Sequence, residues 1–140
     1  MPRRIVITSL GSYGDVYPYM GIGLELKARG HEVVLAMPAF YRDLVEAEGL
    51  GFHAVRPDVD PGDRATIRRV MDPVRGTEFL VKELIMPSLR DSFEDLSKAA
   101  RGADLLVTHP VTFTGPILSQ RDGIPWVSTV LAPISFFSRY

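Results

Sequence analysis

Short apolar runs alternate with amphipathic segments along this chain. The first run, Arg4 to Ser9 (RIVITS), is rich in β-branched residues and has no polar alternation, which is typical of a strand covered on both faces. Four later runs have the same character: Glu32 to Met37, Gly51 to Val55, Asp104 to Thr108 and Trp126 to Leu131. The hydrophobic pattern therefore predicts about five strands.

Helical patterns separate most of these strands. They cover Val16 to Arg29, Ala39 to Glu48, Thr77 to Gly102 and Phe113 to Arg121. Pro87 lies inside the third pattern, and because proline lacks an amide hydrogen and clashes with the preceding turn, we expect a break near Ile85. Strands that alternate with helices predict an α/β fold with a doubly wound parallel sheet and right-handed crossovers.

One stretch, Arg56 to Gly76, interrupts the alternation. Proline, glycine and charged residues dominate it, with the pattern of a short helix only over Ala65 to Met71. We expect a mobile excursion from a single domain that covers residues 1–140. The excursion carries Asp58, Asp60 and Asp63, but the prolines between them and the arginines that follow favour a solvated loop over a calcium site.

Composition and charge argue against several functions. The net charge of −1 leaves no basic excess for phosphates, so nucleic acid is not an expected partner. No apolar run reaches transmembrane length and the N-terminal run is too short for a signal peptide, so we predict a cytoplasmic protein without an integral membrane segment. The chain has no cysteine and only three separated histidines, which gives little support to a metal site.

The loop LGSYGDVYP, Leu10 to Pro18, carries the main candidate chemistry, because ligands of parallel α/β sheets bind beyond the carboxyl ends of the strands. Gly11 and Gly14 permit positive φ and a close approach by a ligand. The loop lacks the Gly-Lys-Ser/Thr of a P-loop, and it has only G-x-x-G where a dinucleotide fingerprint has G-x-G-x-x-G. Asp15 would also repel a phosphate at the helix mouth. Asp15 is thus interpreted either as an N-cap or as a general base.

The segment GSYGDVYPYMGIGLELKARGHEVVLAMP, residues 11–38, resembles the start of GT-B glycosyltransferases, which include sterol glucosyltransferases and the enzymes that glycosylate glycopeptide and macrolide antibiotics. The shared pattern is G-x-x-G-D-x-x-P, a helix, R-G-H-x-V and a strand. DLLVTHP at 104–110 and GIPWVSTVLAP at 123–133 continue the likeness. It implies a Rossmann-like acceptor domain, part of a two-domain enzyme whose C-terminal donor domain is absent from residues 1–140.

This resemblance implies an inverting transfer of a sugar from a nucleotide-diphosphate sugar to a hydroxyl of a hydrophobic small-molecule acceptor, without a cofactor. Asp15 matches the general base of many relatives, and Gly11, Ser12 and Gly14 form the donor-side loop. Tyr13 departs from the arginine that is frequent in the family, which argues against a charged contact to the donor. The alternative is a non-catalytic, flavodoxin-like small-molecule binding module in which Asp15 is only a cap.

Two further sets of residues are candidates within this resemblance. His109 follows the fourth predicted strand, so we interpret it as a group that hydrogen-bonds Asp15 or the acceptor, with a loop histidine that caps backbone groups as the alternative. Candidates for an apolar acceptor pocket are Met86, Phe113, Phe136 and Phe137, and the alternative is that they are core residues.

The implied absence of the donor domain gives two more expectations. The chain alone should be inactive, since the phosphate site of the donor lies on the other domain. Apolar surface around Trp126 to Phe137 should be uncovered, so the fragment should self-associate.

Overall fold

A parallel sheet of five strands forms the centre of the computed structural model, which describes residues 1–132. The strands are β1 (Arg4–Thr8), β2 (Glu32–Met37), β3 (Gly51–Ala54), β4 (Leu105–Thr108) and β5 (Trp126–Ser128). Their order is β3-β2-β1-β4-β5, and in the register of the central strand Ile7 lies beside Leu35 on one side and Val107 on the other. The predicted doubly wound α/β fold is confirmed.

The strand order also separates two versions of this architecture. An order that runs 3-2-1-4-5 is that of the Rossmann fold, whereas a flavodoxin-like sheet runs 2-1-3-4-5. The flavodoxin-like topology of the alternative interpretation is therefore wrong.

Six α-helices connect the strands: α1 (Tyr13–Ala28), α2 (Arg42–Ala47), α3 (Arg64–Val70), α4 (Gly76–Phe79), α5 (Leu89–Ala99) and α6 (Thr114–Asp122). A single 3₁₀ turn, Ala39–Tyr41, precedes α2, and a π-helical segment, Leu80–Ile85, follows α4. The break expected at Pro87 is confirmed, because a turn separates the π-helical segment from α5. None of the helices within residues 1–132 is long and apolar enough to cross a bilayer.

Apolar layers cover both faces of the sheet. Alternate residues of a strand point to opposite faces. On one face Ile7 and Leu35 pack with Tyr19 of α1, and on the other Val6 packs with Leu96 of α5 and Leu118 of α6. This double coverage explains why β1 and β2 lack polar alternation.

Several predicted element boundaries are wrong. α1 begins at Tyr13, three residues before the predicted start at Val16, and β5 ends at Ser128 instead of Leu131. Tyr13 and Gly14 are both exposed residues, so the apolar pattern does not mark the first turn of α1. That turn begins after the N-cap residue Ser12, whose backbone amide donates to the Asp15 carboxylate.

We expect Ile7→Ala to lower the free energy of unfolding by about 2–5 kcal/mol, because it leaves a cavity in the centre of the sheet. Ile7 is fully buried, whereas Ile117 on α6 is 48% exposed and provides the matched control. Ile117→Ala should change stability by no more than about 0.5 kcal/mol. Urea unfolding of the two variants measures the difference, and equal losses would contradict the described core.

Candidate functional site

The candidate site lies at the carboxyl edge of the sheet, where the strand order reverses. β1 pairs with β2 on one side and β4 on the other, and the helices that follow β1 and β4 pack on opposite faces. A crevice opens at such a point, and ligands of open α/β sheets bind there. Asp15 comes from the segment after β1 and His109 directly follows β4, and Asp15 Oδ1 lies 3.4 Å from His109 Nε2.

Asp15 occupies the third position of α1 and not the N-cap. Its Oδ2 atom accepts hydrogen bonds from the backbone amide of Ser12 at 2.8 Å and from the Ser12 hydroxyl at 3.2 Å. The carboxylate thus satisfies an amide of the N-cap residue, as the acidic member of a capping box does. This arrangement leaves Oδ1 for the contact with His109.

The two glycines of the loop have different roles. Gly11 has φ of +141°, and a Cβ atom added there would lie 2.2 Å from Asp15 Oδ2. Glycine is therefore required at position 11 by both the backbone and the space that the carboxylate fills. Gly14 lies inside the first turn of α1 and its φ is not positive, so the expectation of positive φ at Gly14 is wrong.

Buried hydroxyl groups hold this loop in place. The Tyr41 hydroxyl donates to the carbonyl of Gly11 at 2.8 Å, and the Ser9 hydroxyl donates to the carbonyl of Asp15 at 2.8 Å. Burial, with a contribution from neighbouring Tyr13, raises the pKa of Tyr41 to about 12. Tyr41 therefore remains a neutral donor at physiological pH. Tyr13 occupies the position where the resemblance implies arginine. Its ring packs edge-on against the Tyr41 ring, with the two centroids 5.5 Å apart.

His109 is held with its Nε2 atom toward Asp15. The backbone amide of Val111 donates to His109 Nδ1 at 3.4 Å, so in the neutral ring the proton is carried by Nε2. The N–H of Nε2 then points a donor at the carboxylate. The 3.4 Å separation from Oδ1 is longer than a typical N–H···O bond. Catalytic contacts are often long without substrate and shorten when it binds.

The electrostatics of Asp15 reflect two opposed effects. Partial burial raises the pKa of its carboxyl group, but the polar contacts with His109 and Ser12 together lower the pKa by more. The resulting pKa lies below the ordinary value. Asp15 is therefore ionised at neutral pH and able to accept a proton or a hydrogen bond.

An apolar cavity of about 220 Å³ opens over this pair. Its floor is the loop of Leu10, Gly11 and Ser12 with the side chains of Asp15 and His109. Its cover consists of apolar residues from the segment after β3 through the π-helical segment, namely Val59, Pro61, Ile67, Val70, Met71, Leu80 and Leu84. We call this set the apolar cover. A carboxylate and an imidazole thus face a small apolar space.

The predicted acceptor-pocket residues do not line this cavity. Met86 is 50% exposed at the turn before α5, outside the cavity lining. Phe113 borders a separate, much smaller cavity beside Thr8 and Ser92. Phe136 and Phe137 lie outside the described residues. Met86 and Phe113 thus lie outside this cavity, and their assignment to an acceptor pocket stays a prediction.

The apolar cover was missed because most of it lies in the excursion, Arg56 to Gly76. Ile67, Val70 and Met71 follow an i, i+3, i+4 spacing among arginines, and this spacing was the signal that could have identified a helix with an apolar face. Asp58 and Asp60 bind the amides of Ala39 and Gly62, and Asp63 is the N-cap of α3. Within residues 1–132, no three potential ligands are grouped as a metal site requires.

Known glycosyltransferases are similar in sequence to this domain. Residues 5–98 match the glycosyltransferase family 28 N-terminal domain. The chain is 35% identical over 133 residues to O-mycaminosyltylonolide 6-deoxyallosyltransferase of Streptomyces fradiae, covering 89% of this chain and 30% of that enzyme. It is 28% identical over 150 residues to sterol 3-beta-glucosyltransferase of Candida albicans, covering 96% of this chain and 9% of that enzyme.

The fold is shared with solved structures as well. One is the glycosyltransferase SsfS6 of Streptomyces sp. SF2575, complexed with thymidine diphosphate, which matches with a TM-score of 0.64 at 24% identity. The match covers 91% of this chain and 38% of that protein. The chain thus spans well under half of the relatives that it matches. It belongs to glycosyltransferase family 28 and carries the N-terminal domain of that family.

Proposed function

We propose that this chain is the acceptor-binding domain of an inverting glycosyltransferase, in which Asp15 is the general base. One observation carries the proposal: the Asp15 carboxylate contacts His109 at 3.4 Å and both side chains border an apolar cavity. Family membership supports sugar transfer in general. The roles of individual residues are inferred from their chemistry.

The proposed reaction needs one proton acceptor. The hydroxyl oxygen of the acceptor attacks the anomeric carbon of the donor sugar and its proton passes to Asp15. The bond from that carbon to the diphosphate breaks on the opposite side, which inverts the configuration. A nucleoside diphosphate departs as a stable anion, so an acid partner is not required.

The low pKa of Asp15 keeps it ionised but also makes it a weak base. Burial is the largest single influence on this group and acts to raise the pKa. An apolar acceptor that fills the cavity removes water from the carboxylate and extends this effect. His109 serves as a positioning residue, since its contact fixes Oδ1 toward the cavity.

The acceptor in this proposal is a hydrophobic molecule with a free hydroxyl group. The apolar cover forms the wall of the cavity. The polar groups that line the cavity are concentrated where Asp15 and His109 lie. Such a site orients a mostly apolar ligand by a few polar contacts. One of the relatives is named for a sterol, a molecule of this class.

The donor in this proposal is a nucleotide-diphosphate sugar. The similar protein SsfS6 was solved with thymidine diphosphate, which supports a nucleoside diphosphate as the leaving group. Gly11, Ser12 and Gly14 are proposed to face the donor. Because the chain spans 30% and 9% of two curated relatives, transfer is assigned to a longer protein that contains it.

The cellular location and the self-association of the chain are two further parts of the same proposal. A cytoplasmic location agrees with the absence of cysteine, which is typical of reducing compartments. Self-association of the chain alone is supported by Trp126 and Val127 of β5, which are 40% and 48% exposed.

We expect Asp15→Asn to lower kcat of the full-length enzyme by roughly 10²- to 10⁴-fold while the melting temperature stays close to that of the wild type. Asparagine retains an oxygen for the Ser12 amide but cannot take the proton. Asp104→Asn is the matched control, since Asp104 binds the Arg4 amide at 2.8 Å and lies before β4, at the opposite edge of the sheet. Its kcat should equal the wild-type value.

Unchanged turnover in Asp15→Asn would reduce Asp15 to a capping residue and end the proposed mechanism. If the longer protein bound small molecules but transferred no sugar from any nucleotide-sugar donor, the non-catalytic binding module would be the better interpretation.

We expect Leu84→Trp to raise the KM for the acceptor by about tenfold with a smaller change in kcat, because the larger ring occupies space that the acceptor needs. Leu84 lines the cavity, whereas Met86, two residues later, does not. Met86→Trp is therefore the control and should leave KM unchanged. Steady-state kinetics over a range of acceptor concentrations measures both, and a larger KM change in the control would place the acceptor elsewhere.

A further inference from the structure

We infer that Tyr19 and Thr129 are positioning residues that hold His109 against Asp15. This inference rests on the proposed function, in which the pair of Asp15 and His109 handles the proton. It assigns a role to a buried tyrosine and to a threonine just beyond β5, neither of which borders the apolar cavity.

The ring of Tyr19 supports the imidazole from the side. Tyr19 is fully buried, and its ring meets the His109 ring edge-on, with centroids 6.1 Å apart and planes at 81°. Edge-to-face pairs of this spacing are favourable. Tyr19 also lies four residues after Asp15 on α1, so the two side chains share one face of the helix. One face of α1 thus carries both Asp15, the proposed base, and Tyr19, which supports the His109 ring.

The hydroxyl of Tyr19 extends this support to the end of β4. Its oxygen lies 2.6 Å from Thr129 Oγ1, and the Thr129 hydroxyl donates to the carbonyl of Thr108 at 2.8 Å. A hydroxyl has one proton, so Thr129 accepts from Tyr19 and donates to Thr108. The backbone amide of Thr129 donates to the same carbonyl at 3.0 Å. Thr108 directly precedes His109.

This relay joins three elements at the point where the proposed base pair forms. Tyr19 belongs to α1, Thr108 to β4, and Thr129 follows β5 directly. A phenylalanine at position 19 would keep the apolar packing, so packing alone does not require the hydroxyl. The hydroxyl is needed to fix α1 relative to the carbonyl next to His109. A small displacement there changes the 3.4 Å separation from Asp15 directly.

Two isosteric variants of the full-length enzyme test the inference, Tyr19→Phe and Thr129→Val, each of which removes one hydroxyl of the relay. We expect kcat to fall by about tenfold in both, with KM for the acceptor within about twofold, because the base pair is misplaced while the cavity is intact. Tyr17→Phe is the control. Tyr17 lies two residues earlier on α1, is 55% exposed and takes no part in the relay, so its kinetics should be unchanged.

A second measurement does not depend on activity. In a spectrum of ¹⁵N-histidine-labelled protein, the Nε2–H of His109 should exchange with water about tenfold faster in Tyr19→Phe and Thr129→Val than in the wild type or in Tyr17→Phe. The melting temperatures of the same samples separate this loosening from global destabilisation.

An unchanged His109 resonance together with unchanged kcat in both relay variants would overturn the inference. A lowered melting temperature with kcat and the His109 resonance unchanged would also overturn it, because the relay would then be merely structural. Failure of the proposed function has a different signature. In that case Asp15→Asn keeps its turnover, while the His109 signal still responds to the two relay variants.

Discussion

The Asp15 carboxylate joins the start of α1 to the end of β4, and the rest of the site depends on this link. Oδ2 holds the backbone amide of Ser12 at 2.8 Å, and Oδ1 faces His109 at 3.4 Å. The first contact specifies where the helix begins. The second draws together two segments that are far apart in the sequence. Gly11 is required because the carboxylate occupies the space of a Cβ atom there.

Capping and catalysis are therefore not exclusive roles for this residue. The capping box commits one oxygen and orients the other toward the crevice between β1 and β4. A carboxylate fixed in this way needs no reorganisation before it accepts a proton, which is the advantage of preorganised groups. The same fixation lowers its pKa, so the proposed chemistry depends on an apolar acceptor and on the apolar cover to exclude water.

The sequence predicted the sheet because its central strands are buried on both faces, and a β-branched run without polar alternation, as in β1, is typical of such a strand. It also predicted that His109 would lie near Asp15, since the carboxyl ends of neighbouring parallel strands meet at one edge. The start of α1 was missed because a capping residue and not an apolar pattern specifies it. The apolar cover was missed because charged residues obscure its spacing, and its position over Asp15 depends on packing between distant segments.

A crystal structure of the full-length protein with the proposed acceptor and a nucleoside diphosphate tests the central claim most directly. The account predicts the acceptor beneath the apolar cover, with its reactive hydroxyl within about 2.6–3.2 Å of Asp15 Oδ1 and His109 Nε2 still facing that carboxylate. An acceptor hydroxyl bound to a different base, with Asp15 contacting only Ser12, would contradict it.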